Sequence, residues 1–150
     1  MGKKNIASII LIAEDDQDDC VLAKEALAEA KVKNEVRFVD DGEQLMDYLN
    51  RRGKYVDPMN SRSPGLILLD LNMPRKDGRE ALSEIKADPK LKRIPVIVLT
   101  TSKAEEDMLS SYDLGANSYI SKPVSFDRHV ELMKSLRHYW LDFVVLPQTV

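Results

Sequence analysis

Apolar residues in this chain fall in short unbroken runs separated by stretches of helical periodicity. Residues 6–13, 66–69 and 95–101 are nearly continuous apolar runs, as expected of strands buried on both faces. Residues 36–39 and 117–121 read as two shorter strands. Between them lie amphipathic segments. Leu22, Ala26, Leu27 and Ala30 form the stripe of a first helix, ending near Lys31. Leu45, Met46 and Leu49 mark a second helix, opened by Asp41-Gly42. A third spans residues 79–87 and stops at Asp88-Pro89, because proline cannot continue it. A fourth covers 104–114, with Gly115 as its C-terminal cap. Ser125 N-caps a long fifth helix to about Leu141, with Phe126, Val130, Met133, Leu136 and Trp140 as its buried stripe. Strand followed by helix, five times over, demands a parallel sheet covered on both faces. The expected architecture is α/β, a flavodoxin-like doubly wound five-stranded sheet in the order 2-1-3-4-5.

The remaining segments add little structure. Residues 51–65 form a loop longer than compact α/β units usually carry. There are no internal repeats. With 150 residues, one domain is expected, with a core over about 6–141, a tail over 142–150 and no output domain. A net charge of −3 gives no support for nucleic-acid binding through bulk charge. The apolar run near the N-terminus is too short for a signal peptide or a membrane span, so a cytoplasmic protein without membrane attachment is expected. Cys20, the single cysteine, cannot form an intrachain disulfide and fits a reducing compartment. His129 and His138 lie nine residues apart on one helix and face opposite sides, which argues against a shared metal.

The strand ends carry the candidate chemistry. In open parallel sheets, sites lie beyond the carboxyl ends of the strands. The first strand ends in Glu14-Asp15-Asp16, and the third in Asp70. Met73-Pro74 and Asp77-Gly78 then turn the chain out of the sheet. The fourth strand ends at Thr100 and the fifth at Lys122. In the order 2-1-3-4-5 all of these meet at one edge. Clustered carboxylates repel and call for proton sharing or a cation, and hard oxygen donors select Mg²⁺ or Mn²⁺. A lysine and a hydroxyl aimed at the same point would take phosphoryl oxygens. Singly, Thr100 reads as a strand-end hydroxyl and Lys122 as a solvated charge. Together with Asp70 they describe a site for an aspartyl phosphate.

Glu14-Asp15-Asp16, Asp70-Leu71-Asn72-Met73-Pro74 with Asp77-Gly78, Leu99-Thr100-Thr101, Gly115-Ala116-Asn117-Ser118-Tyr119 and Lys122-Pro123 resemble, in order and spacing, the CheY-like receiver domains of two-component response regulators. The resemblance implies that Asp70 accepts a phosphoryl group from a sensor histidine kinase. It implies Mg²⁺ held by Asp15, Asp70 and the backbone carbonyl of Asn72, with Glu14 acting through water. It further implies phosphoryl contacts from Thr100 and Lys122, a Thr100–Tyr119 switch, and a cis Lys122–Pro123 bond. The 51–65 loop, Lys76-Asp77-Gly78-Arg79-Glu80-Ala81-Leu82, Lys92-Arg93-Ile94-Pro95-Val96 and the tail with Trp140-Leu141 and Leu146-Pro147 resemble the stand-alone regulators of bacterial and cyanobacterial phytochromes. A phytochrome is therefore an expected kinase partner.

Two other classes compete. A Mg²⁺-dependent phosphatase with an aspartyl nucleophile usually has a second carboxylate two residues on, where this chain has Asn72. A flavin binder wants a hydroxyl- and glycine-rich loop after the first strand, where this chain has acids. Tyr139, Phe143, Val145 and Leu146 exceed a simple core stripe. They suggest a homodimer through the fourth helix, fifth strand, fifth helix and tail.

Overall fold

The computed structural model describes residues 8–147. Strands β1 (Ile9–Ala13), β2 (Val36–Val39), β3 (Pro64–Leu69), β4 (Val96–Thr100) and β5 (Ser118–Ser121) pair in parallel in the order β2-β1-β3-β4-β5. The helices between and after them are α1 (Gln17–Glu29), α2 (Gly42–Asn50), α3 (Gly78–Ala87), α4 (Glu105–Asp113) and α5 (Phe126–Leu136). This is the doubly wound topology that the periodicity demanded.

Alternation along the strands builds two cores. Leu11, Ala13, Ile67, Leu69, Val96 and Val98 face one way, onto Leu45, Met46 and Tyr48 of α2 and Ala81, Leu82 and Ile85 of α3. Ile10, Ile12, Leu66, Leu68 and Ile97 face the other, onto Ala23, Ala26 and Leu27 of α1 and Val130, Met133 and Leu136 of α5. The α1 stripe runs through buried Cys20 and Ala23, and Leu22 is only half-buried. Against a flat sheet, small residues let the helix approach closely. The loop expected over 51–65 ends earlier, because Pro64 and Gly65 already belong to β3, and it is tied down by Tyr48, whose hydroxyl donates to the Arg62 carbonyl (2.6 Å).

Helix starts share one edge with the strand ends. Asp16, Asp41, Asp77 and Ser125 each accept a backbone N–H of the first helical turn, from Asp19 (3.1 Å), Gln44 (2.8 Å), Arg79 (2.9 Å) and Arg128 (3.2 Å). Each such cap satisfies an otherwise orphaned donor and is worth about 1 kcal/mol. In this topology every strand leads into a helix N-terminus. Capping acids and site acids therefore crowd the same end of the sheet.

Three expectations need correction at the C-terminal end. The final helix does not continue its α-helical stripe to Trp140. From Arg137 to Phe143 it widens into a π-helix, and the buried residue after Leu136 is Leu141, five positions on. Trp140 is thereby rotated to a half-buried position, and Phe126 at the other end is 38% exposed. Leu146, expected on an association surface, is 2% exposed and belongs to the core shared by α1 and α5. The core therefore extends beyond 141. The Lys122–Pro123 bond is trans, since no cis peptide bond occurs among the described residues. Trans is the intrinsically favoured isomer of an X–Pro bond, by about 0.5–1 kcal/mol.

Leu146→Ala should lower the unfolding free energy by about 2–4 kcal/mol in urea titration, as for other buried leucine truncations. Val145→Ala, at a side chain 77% exposed, should change it by less than about 0.5 kcal/mol.

Candidate functional site

The site grows out of four strand ends. Glu14 follows the fully buried β1 and is itself 5% exposed. Asp70 follows β3, and its own N–H still donates to the Ala13 carbonyl (3.1 Å). Asp70 is thereby fixed beside β1 and remains only 6% exposed. The turn after it closes tightly because residue 78 has no side chain. A Cβ on Gly78 would lie 2.3 Å from the Asp70 carbonyl oxygen, and the Gly78 N–H donates to the Leu71 carbonyl (2.9 Å). The Asn72 N–H donates to Asp70 Oδ1 (3.2 Å) and orients the carboxylate.

Glu14, Asp15 and Asp70 converge, with one oxygen from each within 4.8 Å of the others. Asp15 is exposed and opens the cluster to solvent. Lys122 enters from the end of β5, with its side chain only 10% exposed. Its ammonium donates to Glu14 Oε1, to Asp19 Oδ2 (2.9 Å) and to Asp70 Oδ2 (3.3 Å). Burial alone would lower its pKa, but hydrogen bonds to Glu14 and Asp19 and the charges of Asp70 and Glu14 hold it well above the ordinary lysine value. Burial pushes Glu14 up to about 7 and the Asp70 charge adds to this, against the lowering effect of its bonds to Lys122 and the Asp16 N–H.

Thr100 is completely buried at the end of β4, where its Oγ1 accepts the Ser102 N–H (3.3 Å). Tyr119 on β5 reaches the same segment, its hydroxyl donating to the Ser102 carbonyl (3.1 Å). The Ser102 side chain donates to Asp107 Oδ2 (2.6 Å). Asp107 in turn takes two bonds from Arg79 of α3, at 2.9 and 2.8 Å. All the residues singled out from the sequence thus lie at one end of the sheet. Asp19, Ser102, Asp107 and Arg79 were missed. Asp19 read as one more acid in a first helical turn, and only the packing of α1 against α5, the helix that follows Lys122, brings it to the ammonium.

Chemically this is a negative, hard-oxygen centre with one ammonium and an open mouth at Asp15. Burial raises the proton affinity of Glu14 toward neutrality, and added positive charge at the mouth would oppose that shift. That donor set fits a divalent cation.

The fold and the acidic strand-end centre define a receiver module of two-component signalling. The chain belongs to the response regulator receiver domain family, whose model matches residues 10–137. It is 42% identical over 145 residues to the response regulator Rcp1 of Synechocystis, covering 97% of both chains. The Mn²⁺-bound form of Rcp1 superposes with a TM-score of 0.85, over 94% of this chain and 99% of that one. The phosphorylated cyanobacterial phytochrome response regulator RcpA is 46% identical, with a TM-score of 0.87 over 95% of this chain and 99% of its own. RPA3017, a response regulator in red light signalling of R. palustris, is 37% identical, with a TM-score of 0.89 over the same shares. The phosphatase reading gains no support from these relatives. No described helix is long and apolar enough to cross a membrane.

The raised Glu14 pKa has a testable sign. Between about 4.5 and about 7 the folded protein holds a proton that the unfolded chain has released, so Glu14 makes stability fall as pH rises through that window. In EDTA, the urea stability of wild type minus that of Glu14→Gln should therefore decrease from pH 4.5 to 7. A difference that rises with pH would show that pairing with Lys122 outweighs the burial of Glu14.

Proposed function

We propose that this chain is the phosphoacceptor of a phytochrome-type two-component pathway, with Asp70 as the accepting residue. The observation that carries the reading is the convergence of the Lys122 ammonium with Asp70, Glu14 and Asp15, beside the buried Thr100. A carboxylate oxygen of Asp70 attacks the phosphorus of a phosphohistidine on a sensor histidine kinase. The P–O bond forms as the P–N bond breaks, and the imidazole leaves with the electron pair. Lys122 donates to the phosphoryl oxygens, and the Thr100 hydroxyl turns to donate beside it. Asp15, Asp70 and the Asn72 carbonyl, with Glu14 through water, would hold Mg²⁺ (or Mn²⁺), which when bound neutralises charge on the transferring group. Asn72 has no titratable group to serve as the acid or base that an aspartyl phosphatase carries two residues after its nucleophile.

Similarity to RcpA, Rcp1 and RPA3017 supports a phytochrome as the kinase. The switch runs from Thr100 to Tyr119. A phosphoryl group draws the Thr100 hydroxyl toward it, and the Tyr119 ring takes up the space behind. One charge-assisted hydrogen bond, about 1.5–3 kcal/mol, is enough to shift a balanced two-state equilibrium about tenfold. The signal leaves through the face of α4, β5 and α5. Leu109 and Tyr112 on α4 and Val124 before α5 are exposed, as are Tyr139, Phe143 and Val145 after α5. A second copy of the chain covers this face in a C2 dimer.

Acetyl phosphate with Mg²⁺ should add one phosphoryl group to wild type by intact mass and none to Asp70→Asn; labelling of Asp70→Asn to the same extent would sink the assignment. In sedimentation, Phe143→Glu should lower the dimer fraction about tenfold or more while leaving the urea midpoint unchanged. An unaltered dimer would place the contact on another face.

A further inference from the structure

The Lys122 ammonium has three N–H donors, and all three are in use: Glu14, Asp19 and Asp70 each accept one. A phosphoryl group on Asp70 brings new acceptor oxygens and more negative charge to the same ammonium. One existing partner must then give way. Glu14 and Asp70 have side chains only 7% exposed, so neither can exchange Lys122 for water without leaving a buried charge. The Asp19 side chain is 36% exposed, on the first turn of α1, and solvent can take over its oxygens at least cost.

We propose that Asp19 is a positioning residue that competes with the phosphoryl group for the Lys122 ammonium and so limits how tightly the phosphorylated form is held. The inference rests on Asp70 being the phosphoacceptor. In the unphosphorylated protein, Asp19 holds the ammonium toward α1. On phosphorylation the Lys122–Asp19 contact breaks and Lys122 turns wholly to the phosphoryl oxygens. The strength of that contact is subtracted from the stability of the phosphorylated form. Asp18 is the natural control, since it carries the same charge one residue away, is exposed, and makes no contact with Lys122.

The test uses the full chain, with beryllofluoride and Mg²⁺ as the phosphoryl mimic and binding followed by calorimetry. Asp19→Asn should bind beryllofluoride about two- to fivefold more tightly than wild type, the range for a partly exposed ion pair. Asp19→Glu, which keeps the charge, should stay close to wild type, and Asp18→Asn should not tighten binding. In a Lys122→Ala background, Asp19→Asn should have no effect. An Asp19→Asn protein no tighter than wild type overturns the proposal. So does a gain that persists without Lys122, or that Asp18→Asn reproduces, because the effect is then general repulsion. If wild type and every variant fail to bind beryllofluoride while remaining folded, the phosphoacceptor reading itself falls, and this inference with it.

Discussion

One ammonium balances the charge of the whole functional edge. Lys122 is the cation that meets Glu14, Asp19 and Asp70 together, and it reaches them from a different strand and across the sheet. Without it, two nearly buried carboxylates would face each other with no compensation, a situation that costs several kcal/mol or forces protonation. Even with Lys122 in place, burial holds the Glu14 carboxyl above its ordinary range. Everything else at this end of the fold serves to keep the groups in place. The Asp70 N–H stays in the β1 ladder, the Asn72 N–H orients the carboxylate, and Gly78 lets α3 start directly over the strand end.

From that centre a continuous polar path leads to the surface. Thr100 bonds to Ser102, Ser102 to Asp107 and Tyr119, and Asp107 to Arg79. The two bonds from Arg79, with the Ser102 hydroxyl, hold the Asp107 carboxyl below its ordinary range. Within α4 itself only Ser111 is buried. Its place is therefore held by this ion pair and by β5 more than by apolar burial. An element so lightly packed is suited to move.

The opposite face shows a different economy. The π-turn after α5 inserts one residue into the helical repeat, so that Leu141 is buried while Trp140 packs half-buried against the same core, which Leu146 then closes. Arg137 from this segment donates to the Ala30 carbonyl (2.9 Å), satisfying the C-terminal end of α1. The segment through Leu146 is thus part of the fold, while the side chains of Tyr139, Phe143 and Val145 are exposed.

The sequence by itself determined the five strands, the helices, the sheet order and the end of the sheet where chemistry collects. These follow from local periodicity and from the single handed way of joining parallel strands, and a buried run such as Leu66-Ile67-Leu68-Leu69 can be read without its neighbours. Glu14, Asp15, Asp70, Thr100 and Lys122 were legible for the same reason, since each is the last word of a strand. Only the tertiary structure decided the rest. Asp19 and Arg79 look like ordinary helix charges until α1 packs against α5 and α3 meets α4. Which of Trp140, Leu141 and Leu146 is buried depends on a one-residue change of helical register, selected by the shape of the surface below. A contact between residues far apart in the chain is set by packing, and packing leaves no periodic mark in the sequence.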